Sequence, residues 1–184
     1  MEKVIVYVDG FNFYHSLKSL RFPNKFVNVW SLSESILRPT HQLEAVKYFS
    51  AYALWRKRSF PKHKKYVAQL RNAGVTPIIS HFKTKKTTCP KCGKLVTKHE
   101  EKETDIRIAL TMFEDAVDDK FDLAIVISAD SDLVPVVDRI NKRFPNKFVS
   151  VFTPPKRFGS ARDLIKVATS AREITAGRVR KHLF

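Results

Sequence analysis

The chain has 184 residues, enough for one domain of ordinary size, and its hydrophobic fraction of 43% indicates a globular fold rather than a disordered one. Lysine and arginine number 34 against 18 aspartates and glutamates, which gives a formal net charge of +16 and an isoelectric point near 10.0. This charge favours a polyanionic partner, above all nucleic acid, and an anionic membrane surface is the competing interpretation.

The sequence argues against membrane insertion and secretion. It contains no apolar stretch of about 18 residues, and its first residues, MEKVIVYVDG, predict a β-strand rather than a cleaved signal peptide. Its only two cysteines, Cys89 and Cys92, form one CPKC element, which suits a reducing compartment better than a disulfide framework. We therefore expect a soluble, cytoplasmic protein with no membrane partner.

The first predicted strand ends in a short acidic turn. Val4–Val8 is an apolar run typical of a strand that is buried on both faces, and Asp9-Gly10-Phe11-Asn12 follows it directly. A helix with apolar residues at helical spacing comes next. Asn12 is interpreted either as the cap of that helix or as a side chain that orients Asp9 or a substrate phosphate.

The following segments predict a helix, a long strand and a basic loop. Ser31 with Glu34 fits a capping box that opens a short helix, and Leu43–Leu54 predicts the second strand. The loop that begins at Trp55 lies at the same edge of the sheet as the first acidic turn if the two strands are parallel. We interpret the cations here as phosphate contacts, against the alternative of a solvated charged loop. They are Arg56, Lys57, Arg58, Lys62, Lys64 and Lys65.

A third strand, Thr76–Phe82, leads into a basic insertion that spans Lys83–Glu101 and contains the CPKC element. Cys-x-x-Cys followed by glycine is typical of a zinc knuckle, but one such turn supplies only two of the four ligands that a structural zinc needs. Either His81 and His99 complete the site, or a second subunit supplies the same turn in a homodimer, or the segment is a metal-free basic hairpin, or the cysteines form a redox pair. Further candidates for nucleic-acid contacts are Lys83, Lys85 and Lys86.

The longest predicted helix opens at Glu103-Thr104-Asp105, and its apolar face is predicted to contain Ile106, Leu110, Phe113 and Val117. Asp105 lies in the first turn, where the helix dipole favours an anion. The acids near the end of this helix are interpreted as a solvated patch without a functional role: Asp115, Asp118, Asp119 and Asp122.

A second acidic turn follows the most apolar segment of the chain. Leu123–Ile127 predicts a central strand that is buried on both faces, and Asp130 and Asp132 follow it at once, before a helix. In the simplest alternative, Asp132 only caps the helix and Asp130 is a solvated turn residue. Open α/β sheets bind their ligands at this position, the carboxyl end of the strands.

The last third of the chain continues the same series of strands and helices. Lys147–Phe152 predicts the fifth strand, and a helix is expected from about Ser160. The basic residues assigned to that region are Arg157, Arg162, Lys166 and Arg172. The basic tail, residues 172–184, is expected to be mobile. Residues 1–184 therefore form one α/β domain with a mainly parallel, doubly wound sheet.

The acidic turns predict one cation site. If the first and fourth predicted strands are neighbours at the switch point of the sheet, then Asp9, Asp105, Asp130 and Asp132 converge on one pocket. Ligation by carboxylate oxygens suits Mg²⁺ or Mn²⁺ rather than zinc. A carboxylate-bound metal inside a basic protein is what phosphodiester hydrolysis requires.

Three segments, VYVDGFNFYHSLK, EKETDIRIALTMFEDA and DLAIVISADSDLVPVVDRI, resemble in order and spacing the NYN domain of the PIN-like nuclease superfamily, in its LabA-like branch. The resemblance covers nearly the whole chain, and the CPKC segment is similar to an insertion in some members. It implies an α/β/α sandwich and a metal-dependent ribonuclease. It also implies that the four aspartates are the metal-site acids, with Asn12 and Ser128 as supporting polar residues.

The sequence thus predicts a Mg²⁺- or Mn²⁺-dependent endoribonuclease or phosphodiesterase. The main alternative is a non-catalytic RNA- or DNA-binding regulator that keeps the acids for a structural cation. A small phosphoesterase that acts on nucleotides is a weaker third hypothesis, because it leaves the long basic stretches without a role.

Overall fold

The computed structural model describes residues 1–88 and 90–184, and in this part of the chain it shows an α/β architecture around one central sheet. The described strands make a seven-stranded sheet in the order β4-β3-β2-β1-β5-β6-β7, in which every pair is parallel except β3 with β4. The strands are β1 (Glu2–Asp9), β2 (His41–Ala51), β3 (Thr76–Thr88), β4 (Leu95–Lys102), β5 (Leu123–Ile127), β6 (Phe148–Thr153) and β7 (Ser170–Glu173). The predicted mainly parallel α/β sheet is confirmed.

Helices cover both faces of the sheet. They are α1 (Gly10–Leu17), α2 (Val29–Ile36), α3 (Phe60–Asn72), α4 (Thr104–Val117), α5 (Val134–Arg143), α6 (Arg162–Val167) and α7 (Ala176–Lys181). The sequence of β1 is apolar throughout because its residues alternate between the two faces of the sheet and both faces are covered. Val4, Val6 and Val8 pack against α1, α2, α3 and α7, whereas Ile5 and Tyr7 pack against α4, α5 and α6. None of the helices in the described part of the chain is long and apolar enough to cross a membrane.

The start of α2 and the buried face of α4 differ from those predicted. Helix α2 is capped by Asn28, whose side chain accepts the N–H of Ser31 at 3.1 Å, so the predicted capping box at Ser31 is wrong. Glu34 instead accepts the indole N–H of Trp30 at 3.0 Å.

In α4 three residues of the predicted apolar face point outward, whereas the fourth, Phe113, is half-buried and packs against the core. Ile106, Leu110 and Val117 are 62%, 57% and 58% exposed, and the buried face carries Ile108 and Met112 instead. Asp115 shares that buried face, so its assignment to a solvated acidic patch is wrong. The stripe at four-residue spacing was misleading because α4 turns Ile108, Met112 and the acid Asp115 toward β1 and β2.

The insertion forms a β-hairpin that extends the sheet. Strand β3 pairs with β2 only over Thr76–Ser80, and residues 81–88 continue beyond the sheet, paired antiparallel with residues 95–102 of β4. These two paired segments are called the arm from here on. The extra strand β4 makes the predicted fourth strand the fifth in chain order.

The C-terminal region is folded onto the domain, which contradicts the expectation of a mobile tail. Residue Val179 of α7 is fully buried, Val27 and Leu183 form an isolated antiparallel bridge, and the N–H of Phe184 is donated to the carbonyl of Phe26 at 2.9 Å. Arg172 lies in β7, not in the preceding helix, and α6 begins two residues later than Ser160. Burial of apolar side chains outweighs the basic composition of the tail.

Candidate metal centre and nucleic-acid surface

The two acidic turns meet because β1 and β5 are parallel neighbours. Val8 lies opposite Ile127 in the register of these strands, so the residues that follow, Asp9 and Ser128, leave the sheet side by side. The hydroxyl of Ser128 donates to Oδ2 of Asp9 at 2.8 Å. The strand order changes direction at β1. Strands β2 to β4 lie on one side of β1, and strands β5 to β7 lie on the other side. This is the position at which doubly wound sheets bind ligands.

Asp9 is held in place by a tight turn from strand to helix. Its Oδ1 accepts the N–H of Asn12 at 3.0 Å, so Asp9 itself caps α1. Gly10 is required here, because a Cβ atom at this residue would lie 2.5 Å from both the carbonyl oxygen of Phe49 and the ring of Tyr48. The turn places a carboxylate that is only 3% exposed at the edge of the sheet.

Asn12 links the two turns. Its side-chain oxygen accepts the N–H of Ala129 at 3.1 Å, while its own N–H is bonded to Asp9. The alternative in which Asn12 caps the helix is therefore wrong, and the alternative in which it orients Asp9 agrees with these contacts.

The turn after β5 is closed by its own side chains. The Ser128 hydroxyl accepts the N–H of Asp130 at 3.1 Å, and Oδ1 of Asp130 accepts the N–H of Asp132 at 3.1 Å. Asp130, and not Asp132, is therefore the capping residue of this turn. Asp132 is exposed.

Asp105 reaches the same place from α4. It lies in the first turn of this helix, two residues after the N-terminal cap Glu103, which has a left-handed backbone with φ of 76°. Carboxylate oxygens of Asp9, Asp105 and Asp130 all lie within 4.8 Å of one another. The structure thus brings three of the four predicted acids together. Asp132 lies outside this group, and its role as a metal ligand stays a prediction.

The acids line an open cavity of about 300 Å³. The lining residues are Asp9, Phe11, Asn12, His15, Thr104, Asp105 and Asp130. Phe11, His15 and Thr104 were not among the site residues predicted from the sequence. The signal was present, because Phe11 belongs to the first acidic turn and His15 follows it by one turn of the same helix.

The buried carboxylate of Asp9 is destabilised as an anion. Burial, together with the smaller effect of the charges of Asp105 and Asp130, raises the pKa of Asp9 to about 7, although the hydrogen bonds from Asn12 and Ser128 lower it. A divalent cation would relieve both the burial and the repulsion. Three carboxylates that face one cavity fit a hard ion such as Mg²⁺ or Mn²⁺.

Positive charge lies beside the acids. Burial, with the charges of Lys18, Arg157 and Arg56, lowers the pKa of His15 below its ordinary value. Arg56 and Arg157 therefore lie near His15, one of the residues that line the cavity. Arg157 was predicted only as a helix residue, but it lies in the turn after β6, at the carboxyl edge of the sheet.

The predicted nucleic-acid residues lie on three exposed surfaces. Arg56, Lys57 and Arg58 occupy the turn after β2, and a second group lies on α3. All of them are exposed, as are the arm lysines: Lys62, Lys64, Lys65, Lys83, Lys85 and Lys86. On the arm, Lys85 lies opposite Lys98, and two like charges at such a position repel each other.

Aromatic rings join the arm to the rest of the domain. The ring of Trp55 stacks on His99 with a centroid distance of 3.6 Å and an interplanar angle of 9°. Phe82 meets Trp55 edge-on at 4.7 Å and Phe11 edge-on at 5.7 Å. The base of the arm is thereby fixed to α1 and to the basic turn after β2.

The predicted zinc site lies partly outside the described residues, because Cys89 is not among them. Cys92 is exposed. His99 is bonded to the hydroxyl of Thr84 at 3.1 Å as well as stacked on Trp55, and Nδ1 of His81 lies 3.7 Å from the carboxylate of Glu103. Zinc binding and a zinc-linked homodimer stay predictions.

Comparisons with known proteins agree with this geometry. A family model described as the NYN domain matches residues 3–175. The chain is similar in structure to a protein of unknown function from Vibrio parahaemolyticus, with a TM-score of 0.69 and 23% identity over 95% of this chain and 94% of the other. At that identity the likeness concerns the fold alone. No curated protein matches the chain.

Proposed function

The chain belongs to the NYN domain family, a family of PIN-like nucleases, and from this premise we propose that it is a ribonuclease that hydrolyses phosphodiester bonds with a Mg²⁺ or Mn²⁺ ion. The single observation that carries the proposal is the group of three carboxylates from Asp9, Asp105 and Asp130, whose oxygens lie within 4.8 Å of one another. Three separate elements of the chain contribute one acid each, which is the arrangement expected of a built cation site.

Asp9, Asp105 and Asp130 would hold the ion, and Asp132 would contact it through water or directly. When bound, such an ion neutralises the charge of the scissile phosphate and lowers the pKa of a bound water that attacks it. Asn12 and Ser128 keep the Asp9 carboxylate in position by the bonds already described. The hydrogen bond that Asp130 accepts from the N–H of Asp132 fixes its side chain in the same way.

The cations around the cavity would bind the rest of the substrate. Arg56 and Arg157 lie near enough to His15 to lower its pKa, and they would bind phosphates on either side of the scissile bond. The exposed lysines of α3 and of the arm extend this positive surface away from the acids. RNA is the proposed substrate, and assignment to the LabA-like branch stays a prediction.

The direct test is cleavage of single-stranded and structured RNAs in Mg²⁺, in Mn²⁺ and in EDTA, with DNA of the same sequence alongside. We expect cleavage of RNA in at least one of the two metals and none in EDTA. Asp130→Asn should lower the rate by about 100-fold or more, because it removes a charged ligand. Its RNA affinity should stay the same or rise, since one negative charge that faces the phosphates is lost.

Asp138→Asn is the matched control. Asp138 lies on α5 and, among the residues that the structure describes, forms an ion pair with the exposed Lys142 at 2.8 Å, so its loss should leave cleavage unchanged. If RNA binds in a salt-dependent manner but no divalent ion supports cleavage, the protein is instead a non-catalytic RNA-binding regulator. Cleavage that survives both EDTA and Asp130→Asn would also contradict the proposal.

A further inference from the structure

Two aromatic side chains form one wall of the acidic cavity. Phe11 and His15 line it together with Asp9, Asp105 and Asp130. The two rings lie on successive turns of α1, with a centroid distance of 6.4 Å and planes only 22° apart. Metal ligation and phosphate binding explain the acids and the arginines at this site, but they give no role to these rings.

The rings are accessible and their position is fixed from behind. Phe11 is half-buried and His15 is exposed, so ring surface remains reachable from the cavity. Phe82 of the arm packs edge-on against Phe11 at 5.7 Å, and Trp55 and His99 continue the row of rings into the arm. Rings held in this way lose little entropy when a flat ligand packs against them.

The ligand that suits such a wall is a nucleobase. Every base has a π face, and stacking of one base on an aromatic side chain contributes about 1–3 kcal/mol whatever the base is. A phosphate bound at the acids leaves its adjoining nucleotides within reach of the same wall. The cavity volume of about 300 Å³ suits a part of one nucleotide rather than the width of a duplex.

We infer that Phe11 and His15 form a stacking site for one unpaired nucleobase next to the scissile phosphate. The inference rests on the proposed function for the identity of that phosphate. Bases within a duplex already stack on both faces, so the site selects RNA that is single-stranded at the cleavage position and tolerates different bases there. In this arrangement Arg56 and Arg157, whose charges act on His15, would bind the phosphates that flank the stacked nucleotide.

The test uses a short single-stranded RNA whose cleavage position has been mapped, and a set of copies in which one nucleotide at a time is abasic. For the wild-type protein, we expect one abasic position next to the cleaved bond to lower kcat/KM by about tenfold. Phe11→Leu should lower kcat/KM of the intact RNA by a similar factor. The same abasic position should then have little further effect, because base and ring act as a pair.

Phe148→Leu is the matched control, since Phe148 is 44% exposed and lies at the start of β6, at the opposite edge of the sheet from the cavity. It should behave as the wild type on every RNA. The inference is overturned if no abasic position matters, or if Phe11→Leu weakens cleavage of intact and abasic RNAs equally, which would mean that the ring only supports the fold.

A binding measurement keeps the inference testable if the protein does not cleave RNA. Wild-type protein in EDTA is mixed with RNAs that carry 2-aminopurine at one position each, because stacking on a ring quenches the fluorescence of this base. At one position we expect quenching that is lost in Phe11→Leu and reduced in His15→Ala but is kept in Phe148→Leu. Quenching that does not depend on Phe11 overturns the inference, whereas absence of cleavage alone overturns only the proposed function.

Discussion

Two buried carboxylates have opposite electrostatic surroundings in this structure. Asp115, on the buried face of α4, is 2% exposed and accepts a hydrogen bond from the hydroxyl of Tyr7 at 2.7 Å. It also pairs with Lys47 at 2.5 Å and with Lys120 at 3.3 Å. Asp9 is equally buried, but within the described residues its neighbours are neutral donors and two further carboxylates.

The difference separates a structural acid from a functional one. Asp115 meets two lysine ammonium groups supplied by the protein, so it joins α4 to β1 and β2 and needs no ligand. Asp9 instead faces the charges of Asp105 and Asp130, so a cation from outside would stabilise its carboxylate. A buried acid paired within the chain stabilises the fold, whereas a buried acid among like charges destabilises it until an ion binds.

The largest expected effect on stability comes from substitution of the structural acid, Asp115. Asp115→Asn removes the charge that pairs with Lys47, whose side chain is only 17% exposed, and should lower the free energy of unfolding by about 3 kcal/mol. Denaturant titration at pH 7 measures the change. Asp138→Asn breaks only an exposed pair and should cost less than about 1 kcal/mol. Equal losses in the two variants would mean that burial does not distinguish the pairs.

In metal-free buffer Asp9→Asn should raise the free energy of unfolding, whereas Asp115→Asn lowers it. The native pKa of Asp9, about 7, lies above the ordinary value of 3.8, so the native state binds more protons and stability falls as the pH rises between these values. The variant does not show this fall. It should match the wild type near pH 4 and exceed it by about 1–3 kcal/mol above pH 7.

Thermal denaturation of both proteins across this pH range, in EDTA, provides the measurement. Addition of Mn²⁺ at pH 8 should then raise the melting temperature of the wild type but not that of Asp9→Asn. A wild type that is more stable than the variant at pH 8 without metal would show that Asp9 is a structural acid like Asp115.

The affinity for Mn²⁺ should depend on pH. Because a metal ligand must be deprotonated, and the pKa of Asp9 is about 7 without metal, binding of the ion releases a proton below that pH. The dissociation constant should rise by up to about tenfold per pH unit as the pH falls below 7 and should level off above it. The number of protons released on Mn²⁺ binding can be measured by calorimetric titration in two buffers of different ionisation enthalpy. A constant affinity between pH 5 and 8 would contradict the raised pKa.

The smallest effect on stability is expected for substitutions on the arm, because solvent screens the exposed charges there. Lys85 lies opposite Lys98, so Lys85→Gln should relieve repulsion and stabilise the protein by a few tenths of a kcal/mol. It should also weaken RNA binding by about twofold to fivefold and reduce the salt dependence of binding by about one charge. Lys142→Gln on α5 is the control and should leave RNA binding unchanged. Equal effects of the two substitutions would exclude a contact between the arm and RNA.

How far the sequence predicts the structure depends on the range of the interactions involved. The strands β1 and β5 and their acidic turns were predicted because an uninterrupted apolar run and the residues after it form a local pattern. The start of α2 was mistaken because Asn28 and Ser31 are both good caps, and the contact that decides between them is a hydrogen bond, not a residue preference.

Longer-range features could not be predicted in this way. Most of the buried face of α4 was not predicted because Asp115 is buried through contacts with Tyr7 and Lys47, which are far away in sequence. For the same reason, the tail was expected to be mobile although Val27 and Phe26 bind it through their backbones.

The sequence by itself determined that the domain has a parallel, doubly covered sheet with carboxylates at the ends of two strands, because only a strand covered on both faces tolerates so continuous an apolar run. The tertiary structure decided which acids share a cavity, which one is neutralised internally, and which rings line the wall. These are contacts between side chains whose distance depends on strand order and helix rotation, and neither quantity is encoded in any short segment of the chain.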